Sequence, residues 1–270
     1  MKKSNYFLVL FAIVCASPLF AQDQTMGTKG DQVEKTVLSN SVLIVPFDER
    51  MYYSEFDREI SEKDKLSFHQ IRENFRKGID TSLYLNLLPD HNVISMLGKD
   101  HDFDRDIDMI YAGIAYNYEA LPLVEKNENQ GKTKFQLNPH VKKTAADSKK
   151  DKIEQGQLTE NIDTSEKFMA TIITNDNLLN YLNKKYDAGY FVFITQLDIK
   201  RKPGTTAFQI QENEYFKEVR VHYTILNQKG ERIAAGISLS EISSKENSLY
   251  SYLQKGINPV TAQIAELLSF

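Results

Sequence analysis

Apolar residues in the first third of the chain follow a strand-helix-strand order. Residues 42–47 form a run that closes with Pro46 and Phe47, which is typical of a strand buried on both faces. A later stripe with spacings of three and four predicts a long amphipathic helix. Its members are Phe68, Ile71, Phe75, Ile79, Leu83 and Leu87. Pro89 ends this helix and residues 91–97 predict a second strand, so the first part is expected to be a β-α-β unit.

Polar residues predict where these elements begin. Ser61, with Asp64 three residues later, has the spacing of a helix N-cap, so the long helix is expected to start there. The charged, tyrosine-bearing residues 48–60 are expected to be a connection. A third helix is expected to begin at Asp104 as its N-cap and to carry an apolar stripe as far as Tyr118.

The second half repeats the alternation of strand and helix. Residues 168–174 predict a strand, and residues 176–186 predict a helix that Asp187-Ala188-Gly189 interrupts. Residues 190–199 are the strongest strand candidate in the chain, since they begin apolar on both sides and end in alternation. A loop through Pro203-Gly204 follows.

The chain ends in a predicted hairpin and a predicted helix. Alternating apolar residues on both sides of Gly230 indicate an antiparallel hairpin with its turn at that glycine. An amphipathic pattern from Ser248 onward predicts a closing helix, which Pro259 is expected to kink or divide near Gly256.

These patterns predict a single α/β (α+β) domain of two layers, with the long helix and the C-terminal helix packed on a mixed sheet. Between the two halves lies a stretch rich in Lys, Asp, Glu, Asn and Gln that has too few apolar residues to build a core. The expected organisation is a signal peptide over 1–21, a flexible leader over 22–40, the first part of the domain over 41–124, a disordered insertion over 125–164 and the second part over 165–270.

The amino-terminal segment predicts export. Lys2 and Lys3 precede a short apolar run, and Ala21 supplies a small residue before the expected mature start at Gln22. The run is too short to span a bilayer. Cys15, the only cysteine, leaves open an outer-membrane lipoprotein, although the preceding Val14 is not the small residue usual in that arrangement. The expected location is the bacterial periplasm, with peripheral membrane association as an open possibility.

Composition narrows the class of function. A chain of 270 residues with 41% hydrophobic residues can bury a core. Its formal charge of −4 and the lack of a dense basic patch disfavour nucleic acid as a partner. If cleavage follows Ala21, the mature protein has no cysteine, which excludes disulfides and thiolate chemistry.

Three short motifs carry a resemblance to a known family. They are Pro46-Phe47 after the first strand, Ala188-Gly189-Tyr190 before the central strand and Lys229-Gly230-Glu231 in the hairpin turn. In this order the chain resembles the periplasmic α/β domain shared by the TolB amino-terminal region and CsgG-like proteins, in two blocks over 41–98 and 176–268. The resemblance implies a noncatalytic envelope domain that binds other proteins. It does not imply channel formation, because the insertion and the absent lipidation motif depart from CsgG itself.

One cluster has the composition of a metal site. His101, Asp102, Asp104, Asp106 and Asp108 alternate in one stretch, but glycine and glutamate are missing from the positions that a calcium loop requires. Acidic capping of a helix is the expected role of these carboxylates, and no metal or other cofactor is expected. The remaining histidines form no metal-binding pair, and His222 is expected on the solvated side of its strand.

The sequence contains neither a nucleophile elbow nor a glycine-rich phosphate loop, so it predicts no enzyme. The expected function is an exported binding or scaffold protein that acts on other envelope proteins. The alternative is a metal-assisted periplasmic hydrolase that uses His101, Asp102 and Asp104. The candidates for partner binding are Met51, Tyr52, Tyr53 and Phe56, which follow the carboxyl end of the first strand, where open α/β sheets carry binding sites. The competing interpretation is that these side chains fold back over the sheet.

Overall fold

The computed structural model describes residues 40–98, 103–121, 153–154, 157–158 and 166–269. The strands are β1 (Ser41–Val45), β2 (Tyr52–Ser54), β3 (Asn92–Ser95), β4 (Ile114–Ala120), β5 (Ile153–Glu154), β6 (Gln157–Leu158), β7 (Lys167–Ile173), β8 (Tyr190–Arg201), β9 (Phe216–Asn227) and β10 (Arg232–Ser243). The α-helices are α1 (Asp57–Asp64), α2 (Phe68–Leu87), α3 (Asp104–Ala112), α4 (Leu178–Tyr186), α5 (Ala207–Gln211), α6 (Leu249–Ser251) and α7 (Asn258–Glu266). A 3-10 turn spans Glu49–Met51, and a π-helical turn over Tyr252–Ile257 joins α6 to α7.

A mixed sheet of six strands organises the domain. Its strand order is β10-β9-β8-β1-β3, and the short β2 pairs with the far half of β8. Strands β3, β1 and β8 run parallel, whereas β8, β9 and β10 are antiparallel neighbours. The predicted mixed sheet with the long helix and the C-terminal helix packed on it is confirmed.

Helices cover both faces of the parallel strands. Val42 and Ile44 of β1 contact the core under α2 and the C-terminal helix, while Leu43 and Val45 contact a second core under α3 and α4. The crossover from β1 to β3 carries α2, and the connection that returns from β3 past β1 to β8 carries α4. Because right-handed crossovers that run in opposite directions across a sheet put their helices on opposite faces, α2 lies on one face and α4 on the other. The sheet therefore has helices on both faces, whereas the sequence analysis predicts a single layer of helices.

The long helix begins later than Ser61. Lys65 adopts the left-handed conformation (φ 59°) and ends α1, which contains Ser61. The N-cap of α2 is Ser67, which forms a reciprocal capping box with Gln70. The predicted connection over 48–60 instead contains the 3-10 turn, β2 and the start of α1. Phe68 is 55% exposed, whereas the other five members of the predicted stripe are buried.

The third helix is shorter than predicted. It ends at Gly113, and the following residues form β4, which pairs with β7 from Ile114 to Ala120. Ile114 and Tyr118 therefore lie on a strand, where β-branched and aromatic residues are favoured. The N-cap is Phe103 and not Asp104, which occupies the first helical position and gives α3 an acidic first turn.

The predicted hairpin and terminal helix are present. Gly230 turns the β9–β10 hairpin with φ +78°, a conformation that glycine adopts without strain. The C-terminal helix continues for 18 residues over 249–266. Pro259 lies in the first turn of α7, directly after the π-helical turn, so the division predicted near Gly256 takes the form of that turn. Gly78 of α2 packs against this helix, where a Cβ atom would collide with Leu253.

The antiparallel pair β4–β7, called the ribbon, covers the face of β8 and β9 that lies opposite α2 and the C-terminal helix. Met169 N donates to His222 Nδ1 (2.9 Å) and Thr171 N donates to Thr224 Oγ1 (3.0 Å). The predicted signal peptide and leader up to residue 39 lie outside the described residues. So does the predicted insertion, apart from the paired strands β5 and β6.

Candidate functional site

The segment after β1 is held tightly at the carboxyl end of that strand. The 3-10 turn starts at Asp48, whose carboxylate accepts from the backbone N (3.0 Å) and Nε (3.1 Å) of Arg50. These hydrogen bonds hold the pKa of Asp48 below its usual range. The turn directs the chain into β2, which pairs with β8 from Tyr52 to Ser54.

Of the four predicted partner-binding residues, two fold back over the sheet. Phe56 is 1% exposed, and its ring lies 6.5 Å from that of Tyr215. The Tyr52 ring stacks on Phe75 at 6.0 Å, and its hydroxyl donates to Asp57. Burial raises the pKa of Tyr52, so this hydroxyl remains a donor.

Tyr53 is the member of this group with an exposed ring. Its side chain is 54% exposed, and Met51 is half-buried at the end of the 3-10 turn. Of this segment, the structure therefore presents chiefly Tyr53 to solvent. The interpretation that the side chains fold back over the sheet holds for Tyr52 and Phe56, and partner binding by the segment stays a prediction.

Three further apolar side chains are exposed at the same end of the sheet. Phe216 begins β9 and is 52% exposed, while Phe208 (70%) and Ile210 (40%) lie on α5. The backbone joins these positions: Ser54 pairs with Ile199, and Lys202 N donates to Phe216 O (2.9 Å). We call Tyr53, Phe208, Ile210 and Phe216 the strand-end surface.

Sequence reasoning missed most of this surface. Residues 203–214, called the projecting loop, connect β8 to β9, and every residue in it except the half-buried Thr205 is exposed. A signal was available in Thr206 and Gln209, which have the spacing of a capping box; Phe208 lies between them and Ile210 follows directly. A short capped helical turn that carries apolar residues outside any amphipathic pattern would have indicated an exposed recognition element.

The predicted acidic cluster is dispersed as far as the structure describes it. His101 and Asp102 lie outside the described residues. Asp104 and Asp108 line a groove of about 580 Å³ beside Asp48 and Arg76. The Arg76 side chain has other hydrogen-bond partners in this groove: its Nε donates to Phe47 O (3.0 Å) and its terminal nitrogen donates to the Tyr111 hydroxyl (3.0 Å). Within the described residues, no three His, Cys, Asp or Glu side chains converge so that they could hold a metal ion.

Asp106 contacts the neighbouring helix. Its carboxylate accepts from Lys185 Nζ (2.6 Å), from the Tyr181 hydroxyl (3.2 Å) and from the Tyr186 hydroxyl. Although burial opposes ionisation, these donors keep the pKa of Asp106 below its ordinary value. The residue therefore joins α3 to α4.

His222 is buried, contrary to the prediction that it is solvated. The ribbon covers it, and its Nε2 lies 3.5 Å from Asp198 Oδ2. Along with Gln196, Glu218, Arg220 and Thr224, these two residues form what we call the polar sheet face. The alternation of β9 identified the side of the strand correctly, but the ribbon that packs on that side could not be seen in it.

None of the helices in the described residues combines the length and apolar composition needed to cross a bilayer. No protein-family model matches the chain, and no curated protein is significantly similar to it in sequence.

Proposed function

We propose that this protein is an exported binding or scaffold protein of the bacterial cell envelope, located in the periplasm, and that it acts on other envelope proteins without catalysis. The proposal is supported by the sequence signals for export and by the resemblance to the TolB amino-terminal and CsgG-like domain. The observation that carries it is the strand-end surface. Large apolar side chains grouped on a protein surface are typical of interaction sites.

The strand-end surface has the chemistry of an interface. Aromatic residues are enriched at the centres of protein interfaces, because they bury a large area with few rotatable bonds. Three of its four residues are aromatic, and they lie at the carboxyl end of the parallel strands, where open α/β sheets place their binding sites. Nucleic acid is not among the proposed partners, since the chain carries a formal charge of −4.

The binding test compares two pairs of exposed apolar residues. In the full chain, Tyr53→Ser with Phe216→Ser removes half of the strand-end surface. Leu85→Ser with Leu88→Ser is the matched control, because these leucines are 60% and 48% exposed at the far end of α2. We expect the first double variant to lose at least about tenfold of the partner captured by chemical crosslinking in intact cells, and the control to retain it.

A second measurement separates binding from catalysis. The alternative hydrolase would use His101, Asp102 and Asp104, so metal content of the purified full chain after dialysis tests it directly. One tightly held metal ion per chain would overturn the noncatalytic proposal. Failure of the wild-type chain to crosslink to any envelope protein would overturn the binding proposal.

A further inference from the structure

The projecting loop has a defined conformation without a core of its own. Thr206 N donates to Gln209 Oε1 (2.9 Å), and Gln209 N donates back to Thr206 Oγ1 (3.3 Å). Glu214 N closes the loop on Gln209 O (2.8 Å). No residue of α5 is buried. The shape therefore comes from local hydrogen bonds, which is the condition for a preorganised recognition element.

Both ends of the loop are fixed to the domain. Ser244 Oγ donates to Asn213 O (2.6 Å), and Ser244 N donates to Tyr215 O (2.9 Å). Tyr215 is buried, and the Arg201 guanidinium lies 5.2 Å from the centre of its ring. Since the ends are held and the middle projects, a partner could engage the loop without rearranging the sheet.

The loop also has a single sign of charge. Residues 203–214 contain Glu212 and Glu214 but no Lys, Arg or His. The adjacent Lys202 is paired with Glu241 at 2.7 Å, and its Nζ lies 5.8 Å from the centre of the Phe216 ring. A negatively charged lipid surface would repel the loop, whereas a protein pocket with basic residues at its edge would attract it.

We propose that the projecting loop inserts Phe208 and Ile210 into an apolar pocket of an envelope protein whose rim carries Lys or Arg residues facing Glu212 and Glu214. This inference rests on the proposed function and specifies the chemistry of the partner. Burial of the two apolar side chains would supply affinity, and the carboxylates would supply orientation and speed of association.

The test begins with the partner's contact residues. With Phe208 replaced by p-benzoylphenylalanine in the full chain, photo-crosslinking in intact cells should attach the loop to one protein, and mass spectrometry should locate the attachment. We expect an apolar pocket with Lys or Arg within a few residues of it in space. Attachment to a flat polar or acidic surface would overturn the inference while leaving the proposed function in place.

Charge reversal supplies the quantitative arm. Glu212→Lys with Glu214→Lys should weaken binding to the crosslinked protein about tenfold, and Phe208→Ser should weaken it about 30-fold. The matched control, Asp90→Lys with Glu266→Lys, makes the same change in net charge at the other end of the domain and should leave binding unchanged. Equal weakening by the control pair, or no weakening by the loop pair, would overturn the inference.

A lipid arm tests the competing occupant. The full chain is sedimented with vesicles of phosphatidylethanolamine and phosphatidylglycerol, and separately with phosphatidylcholine vesicles. We expect no binding to either. Binding that Phe208→Ser abolishes would identify a membrane as the occupant and overturn the inference of a protein pocket.

Discussion

The two faces of strands β8 and β9 show two different ways of covering a sheet. On one face, Leu197, Val219, Val221 and Ile225 are fully buried under α2 and the C-terminal helix. On the other, the ribbon covers the polar sheet face through hydrogen bonds to side chains. Apolar burial is non-directional and scales with area, whereas hydrogen bonds depend on individual atoms. The first face should therefore respond to lost volume and the second to lost donors and acceptors.

The largest effect is expected on the apolar face. Phe75 is fully buried, stacks on Tyr52 and meets Tyr252 edge-on at 5.9 Å. Phe75→Ala should lower the free energy of unfolding by about 3–5 kcal/mol, because it removes transfer energy and leaves a cavity. Urea denaturation followed by circular dichroism measures the loss. Phe208→Ala is the control and should change stability by less than about 0.5 kcal/mol.

Lys217 is the residue that challenges the comparison, because it is a charge on the apolar face. Its Nζ donates to Asn247 Oδ1 (2.6 Å) and Glu59 Oε2 (3.1 Å) and lies 4.4 Å from the centre of the Phe56 ring. Burial lowers its pKa. Lys217→Ala should destabilise by about 2–4 kcal/mol through lost packing and lost contacts.

Lys217→Met separates volume from charge. Methionine fills the space of the lysine stem and removes the buried charge, so its stability in the same urea titration should lie within about 1 kcal/mol of wild type. A methionine variant as unstable as the alanine variant would mean that the charge contacts, and not the packing, hold α1 against β9.

On the polar sheet face, a single acceptor should matter. His222→Leu leaves Met169 N without its partner and should cost about 1–3 kcal/mol. His222→Asn is the matched variant, because its Oδ1 can occupy the position of Nδ1 and restore an acceptor. Hydrogen exchange at the Met169 amide should accelerate in the leucine variant and remain closer to wild type in the asparagine variant. Equal exchange in both would show that volume controls this face as well.

The last expected effect depends on pH. Asp80 is buried on α2 and accepts from Ser95 Oγ, and burial raises its pKa to about 6. Because the folded-state value lies above the unfolded one, the folded state prefers the protonated form. Ionisation of this carboxyl therefore destabilises the protein as pH rises from about 4 through 6.

Asp80→Asn removes that ionisation. At pH 8 the variant should be more stable than wild type by about 3 kcal/mol, and the difference should vanish near pH 4, where both side chains are neutral in the folded protein. Urea titrations at the two pH values measure it. A difference that does not depend on pH would contradict the assignment of the effect to the carboxyl charge.

Regular apolar patterns predicted the elements that are buried along their whole length. Strands β1, β8, β9 and β10 and the buried stripe of α2 follow from periodicity, since each is buried on at least one face along its length. The errors lie at ends and short elements. Ser61 satisfies the spacing of an N-cap as Ser67 does, and only the left-handed turn at Lys65 separates α1 from α2.

The candidate site was predicted less completely than the fold. The position of residues 51–56 after a buried strand indicated that they lie at the carboxyl end of the parallel strands, and Tyr53 is exposed there. Phe208, Ile210 and Phe216 join that end because β8 and β9 extend past β1, which is a matter of strand pairing between distant segments. Local spacing contains no information about which loop lies beside which.

Periodicity and turn residues were sufficient to predict the class of fold, the central strands and the helices that cover them. The reason is that the spacing of apolar residues along the chain determines which face of a strand or helix is buried. Long-range packing determined which element covers the polar sheet face of β8 and β9. The ribbon pairs residues more than 40 positions apart and buries His222, whose polar side chain predicts solvent in any local reading. Hydrogen bonds from the ribbon backbone make that burial possible, and they exist only once the chain has folded.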